Sequence, residues 1–351
     1  MLLTVLFACG TAPLPTPDGD SGDPAPDAPR EIAPGPDCLD EAWPVAVPFN
    51  VLAGHLVDGQ ASDEELAALI TVVEEWAPPR QGPWAHTVRG PWRATDGVAF
   101  AGGGDVLGAA SVPDVARRDD GTFVLLYVDG DLDRLVELAG EGAPLRGGLL
   151  GFGGLGAATS AEGTAWSPVE LSFAEPLPTY AVDPELQRLE DGRWALYFLG
   201  VPAEELCADV PDPFAVPTPH RLYRAESDDL LNWGPAEVVA THDEGGVDPA
   251  VWCVDPATCY AWFSTPLQSG DGGRTWTPST ALSFVSPPQV PDVLGMQNGE
   301  FLLYGLGGEG VGVSASSDGL AFTPVGLTGA GWGSPTAAAV DDEVWLWVAG
   351  E

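Results

Sequence analysis

Two short elements alternate down this chain, and their registered repetition constrains the fold more than any other feature. The first writes an acidic residue into a tight turn and closes on an aromatic. It occurs as ATDGVAF (94–100), SAEGTAW (160–166), SDDLLNW (227–233), SGDGGRTW (269–276) and SSDGLAF (316–322). Asp and Glu can accept hydrogen bonds from the N–H groups of their own turn, and Gly supplies positive φ. The closing aromatic starts the next strand and packs back over the hairpin. A stretch present in five copies is architectural, since five copies cannot all be active sites.

The second element reads VPDVARRDDGTFVLLYV from Val112, VDPELQRLEDGRWALYF from Val182 and VDPAVWCVDPATCYAWF from Val247, then VPDVLGMQNGEFLLYG from Val290 and SPTAAAVDDEVWLWV from Ser334. Each copy has a Pro at a strand start, a polar turn and an apolar, aromatic-rich strand, the pattern of a β-hairpin. Alternation of the two elements predicts an all-β chain of five four-stranded antiparallel blades, a five-bladed β-propeller over residues 84–351. The outer turn comes first and the inner hairpin last. Strands around Trp84–Phe100 should therefore complete the C-terminal blade and close the ring, leaving no exposed sheet edge there. With 45 Gly, 35 Pro and 13 Trp in 351 residues, the composition agrees with a turn-rich β fold.

Upstream, MLLTVLFAC (1–9) resembles a bacterial lipoprotein signal, with Leu6 three residues before Cys9 and Ala8 directly before it. That resemblance implies lipidation of Cys9, export, and a place in the bacterial cell envelope or outside the cell. The leader is short and lacks a basic n-region, as a true start codon further upstream would explain. Residues 10–45 begin as a Pro/Asp/Gly-rich tether that cannot bury a core. Within 46–83, SDEELAALITVVEEW carries a capping box at Ser62 and Glu65 and an apolar face at Leu66, Leu69, Ile70 and Val73. It predicts a short helix packed outside the propeller, stopped at Pro78 and Pro79. In an oxidising compartment the four remaining Cys can pair as Cys253–Cys259, across the VDPAT turn, and as Cys38–Cys207.

The formal net charge is −39, with 13 Arg and no Lys. Such a surface repels phosphate backbones and excludes nucleic acid as a partner. No run of eighteen apolar residues occurs, so contact with a membrane is expected only through lipid on Cys9. His55, His86, His220 and His242 are widely spaced and give no zinc pattern. There is no phosphate-binding loop, dinucleotide fingerprint or nucleophile elbow, and GFGGLGAATS (151–160) has no strand–helix context. A monomer is expected.

The acids beside the strand-opening prolines are the candidate chemistry. Asp183 and Asp248 stand before the Pro, while Asp114, Glu185 and Asp292 stand after it. On an extended strand these two positions share a side, so all five carboxylates should gather round one axis. Clustered carboxylates raise one another's pKa values, and a pair flanking a glycosidic bond can hydrolyse it. Trp194, Trp252 and Trp332 lie near these elements and offer flat faces for sugar rings; His242 sits where it could line the same funnel. No cofactor is expected, although a ring of carboxylates would suit a structural Ca²⁺ in the central channel.

SGDGGRTW resembles the Asp-box of sialidase-like propellers. The wider pattern, LYRAE before SDDLLNW, VGVSA before SSDGLAF and VDPELQRLEDGRWALYF, resembles the five-bladed arabinanase, levansucrase and invertase group of glycoside hydrolases. The resemblance implies a carbohydrate partner. It also implies a general base and a pKa-modulating Asp at Asp183 and Asp248; Glu185, on the same strand face as Asp183, is the candidate proton donor. In that group the acid is typically a Glu before a small residue and Pro; SPT and VPD stand at the corresponding blade starts here. Two functions therefore stay open: an exported glycoside hydrolase acting on a neutral or cationic glycan, and a non-catalytic surface propeller that binds glycan or protein.

Overall fold

A computed structural model of the chain describes residues 86–129, 154–175, 177, 180–201, 220–242, 248–307 and 309–350. Cys9, the tether, the expected helix within 46–83, Trp84, Cys38 and Cys207 lie outside the described residues.

The described residues form five antiparallel blades. Blade 1 runs outward from Ala110–Arg117 through Phe123–Asp129 and Leu155–Ser160 to Ser167–Val169. Blade 2 comprises Tyr180–Arg188, Trp194–Val201, His220–Ser227 and Glu237–His242. Blade 3 comprises Ala250–Cys253, Cys259–Trp262, Pro266–Ser269 and Thr277–Pro278. Blade 4 comprises Gln289–Gly295, Phe301–Gly307, Gly310–Ser316 and Ala321–Leu327. Blade 5 takes its two inner strands, Ser334–Val340 and Glu343–Gly350, from the C-terminal end, and its next strand, Thr87–Ala94, from far upstream. The five inner strands touch in the circular order 1-2-3-4-5-1.

Closure is with the expected partner, the C-terminal blade, with Val88 opposite Ala349, Trp92 opposite Leu346 and Ala94 opposite Val344. A bulge between Arg89 and Trp92 interrupts it. There Gly90, at φ +141°, lies under the Trp347 ring, and an added Cβ would stand 2.6 Å from that ring. Only Gly fits this closing strand beneath the indole.

The apolar interior is divided among the seams between blades. In the strand FVLLYVD, Phe123, Leu125 and Tyr127 pack into the seam with blade 5, while Val124 and Leu126 pack into the seam with blade 2. Both faces are buried, so the strand reads as a continuous apolar run instead of an alternating one. The other second strands repeat this arrangement and supply Tyr197, Tyr304 and Trp347 to their seams.

The repeated turns explain their own composition. Asp271 accepts N–H groups of Arg274 (3.0 Å) and Thr275 (2.9 Å), and Ser269 Oγ accepts Gly273 N–H (2.9 Å). Asp96, Asp229 and Asp318 accept from their own turns in the same way. Each turn is then clasped by the preceding blade. Tyr197 OH donates to Gly273 O (3.2 Å), Trp252 Nε1–H to Gly319 O (2.8 Å), Tyr304 OH to Gly97 O (2.9 Å) and Trp347 Nε1–H to Gly163 O (3.0 Å). All four glycines have φ between +67° and +79°. The fifth seam substitutes an apolar contact: Leu126 occupies the aromatic position and Leu230, at φ +68°, the Gly position, and both are fully buried in one cluster.

The clasps make a stability prediction. Tyr304→Phe removes the donor and leaves the Gly97 carbonyl in a buried seam, so it should cost about 1–2 kcal/mol. Urea unfolding followed by tryptophan fluorescence should show a lower midpoint with an unchanged slope; an unchanged midpoint would show that this bond adds nothing to the ring.

Candidate functional site

The five strand-opening prolines, 113, 184, 249, 291 and 335, converge on the propeller axis. Asp114, Asp183, Glu185, Asp248 and Asp292 line the same axial cavity, as the repeat spacing predicts. The route by which they arrive differs from the expectation of an extended strand. Val112, Asp183, Asp248 and Val290 have φ of +42°, +53°, +45° and +45°. In blades 1 to 4 the chain therefore turns through the residue before Pro, and strand pairing skips residues there, as between Ser111 and Asp114 and between Gln289 and Asp292. Such left-handed backbone is costly for residues other than Gly. It recurs at two valines as well as two aspartates, so the strain belongs to the architecture and not to one reactive residue.

The turn sorts the acids into two sets. Asp114, Glu185 and Asp292 are buried, and each offers an oxygen within 4.8 Å of the others. Each also reaches to the next blade. Glu185 Oε1 accepts Val251 N–H (2.9 Å), Asp292 Oδ2 accepts Ala337 N–H (2.5 Å), and Asp114 Oδ2 accepts Leu186 N–H. Thr336 ties blade 5 to blade 1 in the same way: its Oγ1 accepts Val115 N–H (3.0 Å) and donates to Asp114 Oδ1 (2.8 Å). Blade 3 has Ala250 at this position and makes no such clasp to blade 4. Asp183 and Asp248 form the second set, with Asp248 N–H donating to Asp183 Oδ2 (3.3 Å).

Burial dominates the electrostatics. It lifts Asp114 to about 7, against the opposing bonds from Thr336, Leu186 and Val115. It lifts Asp183 to about 6, against the Asp248 N–H. Glu185 is pushed well up by burial and then by the charges of Asp114 and Asp292. Asp292 is raised by burial and Asp114, and Asp248 by burial and Asp183. Five acids in one small cavity cannot all ionise cheaply.

The all-oxygen set of Asp114, Glu185 and Asp292 is of the kind that Ca²⁺ accepts, but both Asp114 oxygens already take hydrogen bonds within the protein. The axial opening is narrow. Among the described residues it has room for about one water molecule. The expected aromatic platforms separate by burial. Trp252 is 2% exposed and clasps Gly319, and Trp194 is 9% exposed beneath the Arg188 guanidinium. Neither ring can stack on a ligand, because the seams already cover both. Trp332 is 64% exposed. His242 packs edge-on against Phe263 at 5.5 Å and does not line the axial cavity. The axial clasps made by Thr336 were not legible in the repeat pattern, since a Thr among acids gave no signal of its own.

No family model matches this sequence, and no curated protein matches it. Several solved structures are similar. A family 117 glycoside hydrolase from Zobellia galactanivorans is 12% identical over 69% of this chain and 84% of its own, with a TM-score of 0.45. An N-acetylgalactosamine deacetylase from F. plautii is 14% identical over 72% and 81%, with a TM-score of 0.48. A GH43 endo-arabinanase from Bacillus licheniformis is 14% identical over 66% and 85%, with a TM-score of 0.41. The five-bladed fold rests on this chain's own strand pairing, and no chemistry is carried over from these proteins.

The raised acids fix the sign of a pH effect. Between the ordinary Asp value and the folded values of about 6 and 7, the folded protein holds protons that the unfolded chain has released. Stability contributed by these groups is complete at the acid end and is lost as pH rises through the folded values. Unfolding free energy from urea titrations should therefore fall between about pH 4 and pH 7. Asp114→Asn, which stays neutral at every pH, should flatten that fall; a rise in stability over this range would contradict the electrostatic assignment.

Proposed function

We propose that this chain is an exported, lipid-anchored, carbohydrate-binding propeller whose axial acids hold the ring together instead of cleaving a glycosidic bond. One observation carries the non-catalytic part. Asp114, Glu185 and Asp292 are occupied as acceptors for the next blade's N–H groups, around a small axial cavity. Hydrolysis needs two carboxylates facing a sugar across an open site, about 5–5.5 Å apart for retention or 6.5–9.5 Å for inversion. The carbohydrate part rests on the repeated motifs and their resemblance to glycan-processing propellers. The acidic axis favours neutral or cationic glycans over anionic ones. The Cys253–Cys259 bridge, which joins directly opposed residues of blade 3, agrees with an oxidising compartment.

A second reading is supported by Asp183 and Asp248. Both line the cavity beside one another, and burial raises both, Asp248 also through the charge of Asp183. In that reading Asp183 and Asp248 are the base and its modulator, and Glu185 donates the proton.

A panel of aryl-glycosides and polysaccharides separates the two readings. The binding reading expects no product from any substrate. Turnover that falls by orders of magnitude in both Asp183→Asn and Asp248→Asn, with the fold intact, would establish the hydrolase instead.

Export has its own measurement. Mass spectrometry of protein from the native host should find diacylglycerol on Cys9 and two disulfides, Cys253–Cys259 and Cys38–Cys207. Four free thiols and an unmodified Cys9 would remove the compartment from the proposal.

A further inference from the structure

Blades 2 and 4 make the same clasp with different neighbours. Tyr197 holds Gly273 O and Tyr304 holds Gly97 O. Tyr197 is paired between Glu185 and Arg224, as Tyr304 is between Asp292 and Val313. Two residues beyond Arg224 comes Glu226, opposite Ala195; the corresponding residue of blade 4 is Ala315, opposite Leu302. Arg193, directly before the second strand, is matched by Glu300, and Arg274, directly after the clasped glycine, by Val98. Blade 4 therefore completes its clasp with no basic residue at these positions. The ring does not require the three arginines in the seam between blades 2 and 3.

They converge on one carboxylate. Glu226 Oε1 takes Arg224 Nη1 (2.6 Å) and Arg274 Nη2 (2.8 Å), and Oε2 takes Arg193 Nη1. Asp191 is a second partner of Arg193 (2.8 Å). Against its partial burial, the three guanidinium groups hold the Glu226 carboxyl below the usual range, so it stays charged. Three cations thus face two carboxylates, in a chain with 52 Asp and Glu against 13 Arg. Elsewhere Arg89, Arg117, Arg118 and Arg188 each pair with an Asp.

Arg224 carries the decisive atom. Its side chain is 7% exposed; Nε donates to Tyr197 OH (3.2 Å), and Nη2 has no acceptor among the described residues. Three indole N–H groups are also buried without an acceptor, but Trp166, Trp233 and Trp276 are the closing aromatics of three repeated turns, so theirs come with the repeat. Arg224 Nη2 has no counterpart in blade 4, where Val313 stands. A buried charged donor left unpaired costs more than a neutral one. The guanidinium is planar, so Nη2 stays beside the Glu226 contact. Arg193 and Arg274 bring the cluster to the surface, 40 and 53% exposed.

We propose that the seam between blades 2 and 3 binds an oxyanion, the carboxylate, sulfate or phosphate group of a small ligand, through Arg193, Arg224 and Arg274. A guanidinium has donors only, in a fork that matches two oxygens of such a group, so whatever completes Arg224 must accept. A cation is repelled by three like charges, and a neutral acceptor leaves the excess positive charge unanswered. Arg224 stands two strands out from the axial Glu185, with Tyr197 between them. The site is thus separate from the axial acids and does not depend on the carbohydrate reading.

The test is NMR of the arginine Nε–H groups in the isotope-labelled full chain, titrated separately with sodium sulfate, sodium phosphate and sodium galacturonate. Each titration is run against sodium chloride of equal ionic strength. At least one probe should move the Arg193, Arg224 and Arg274 resonances along a saturating curve. Arg193→Gln and Arg274→Gln should each weaken that binding about tenfold or more, with unchanged circular dichroism. Arg274→Lys keeps the charge and loses the fork, so it should bind more weakly than the wild type. Arg93→Gln removes the same charge from blade 5, where Arg93 lies over Trp345, and should bind like the wild type. Saturation by galacturonate alone would assign a carboxylate, and by sulfate or phosphate alone a tetrahedral group; either supports the site. Shifts that follow ionic strength alone would overturn the inference and leave Arg224 Nη2 to water. Equal binding by the wild type, Arg193→Gln and Arg274→Gln would overturn it too.

Discussion

Each blade of this protein is tied to the next by a group that reaches across the seam. At the periphery an aromatic N–H or O–H from one blade holds the turn carbonyl of the next, as Trp347 holds Gly163. Near the axis a carboxylate accepts the next blade's N–H, as Glu185 accepts from Val251. The direction never reverses around the ring. Hydrophobic burial between blades is non-directional, so it can press blades together without fixing how far one slides past another. Hydrogen bonds to backbone groups supply that register.

The same requirement explains where the acids went. A chain of net charge −39 would be expected to keep its carboxylates in water, yet three are buried near the axis and two more line the same cavity. Burial raises all five, and neighbouring charges raise several further. A protonated carboxyl can donate as well as accept, and a shared proton lets two acids sit side by side. Burial along the axis and the raised acids thus go together. That same chemistry could serve catalysis in a wider channel, which is why acid clustering alone did not distinguish structure from activity.

Much of the architecture was legible in the sequence because its causes are local. A Gly-rich turn with an Asp, a Pro at a strand start and a run such as FVLLYV each have short-range signatures, and five copies in register imply the ring. The position of ATDGVAF before the first inner hairpin foretold closure by Thr87–Ala94. The five axial acids were likewise legible, since each stands beside a strand-opening Pro. The roles of Trp252 and Trp194 were not. An aromatic near a blade start looks the same in sequence whether its edge faces a sugar or donates to Gly319 across a seam.

Sequence alone determined the number of blades, the closing partner and the identity of the acids on the axis, because repetition and turn chemistry are written residue by residue. Tertiary structure decided what those acids touch. Their bonds to Leu186, Val251 and Ala337 join residues dozens of positions apart, and positive φ at Asp183 and Asp248 overrides the strand alternation that sequence spacing assumes. It also decided that Ser283 and Phe284 pair with Ala321 and Phe322, across most of blade 4 in sequence. Proximity across a sheet is set by strand pairing, which no single segment specifies.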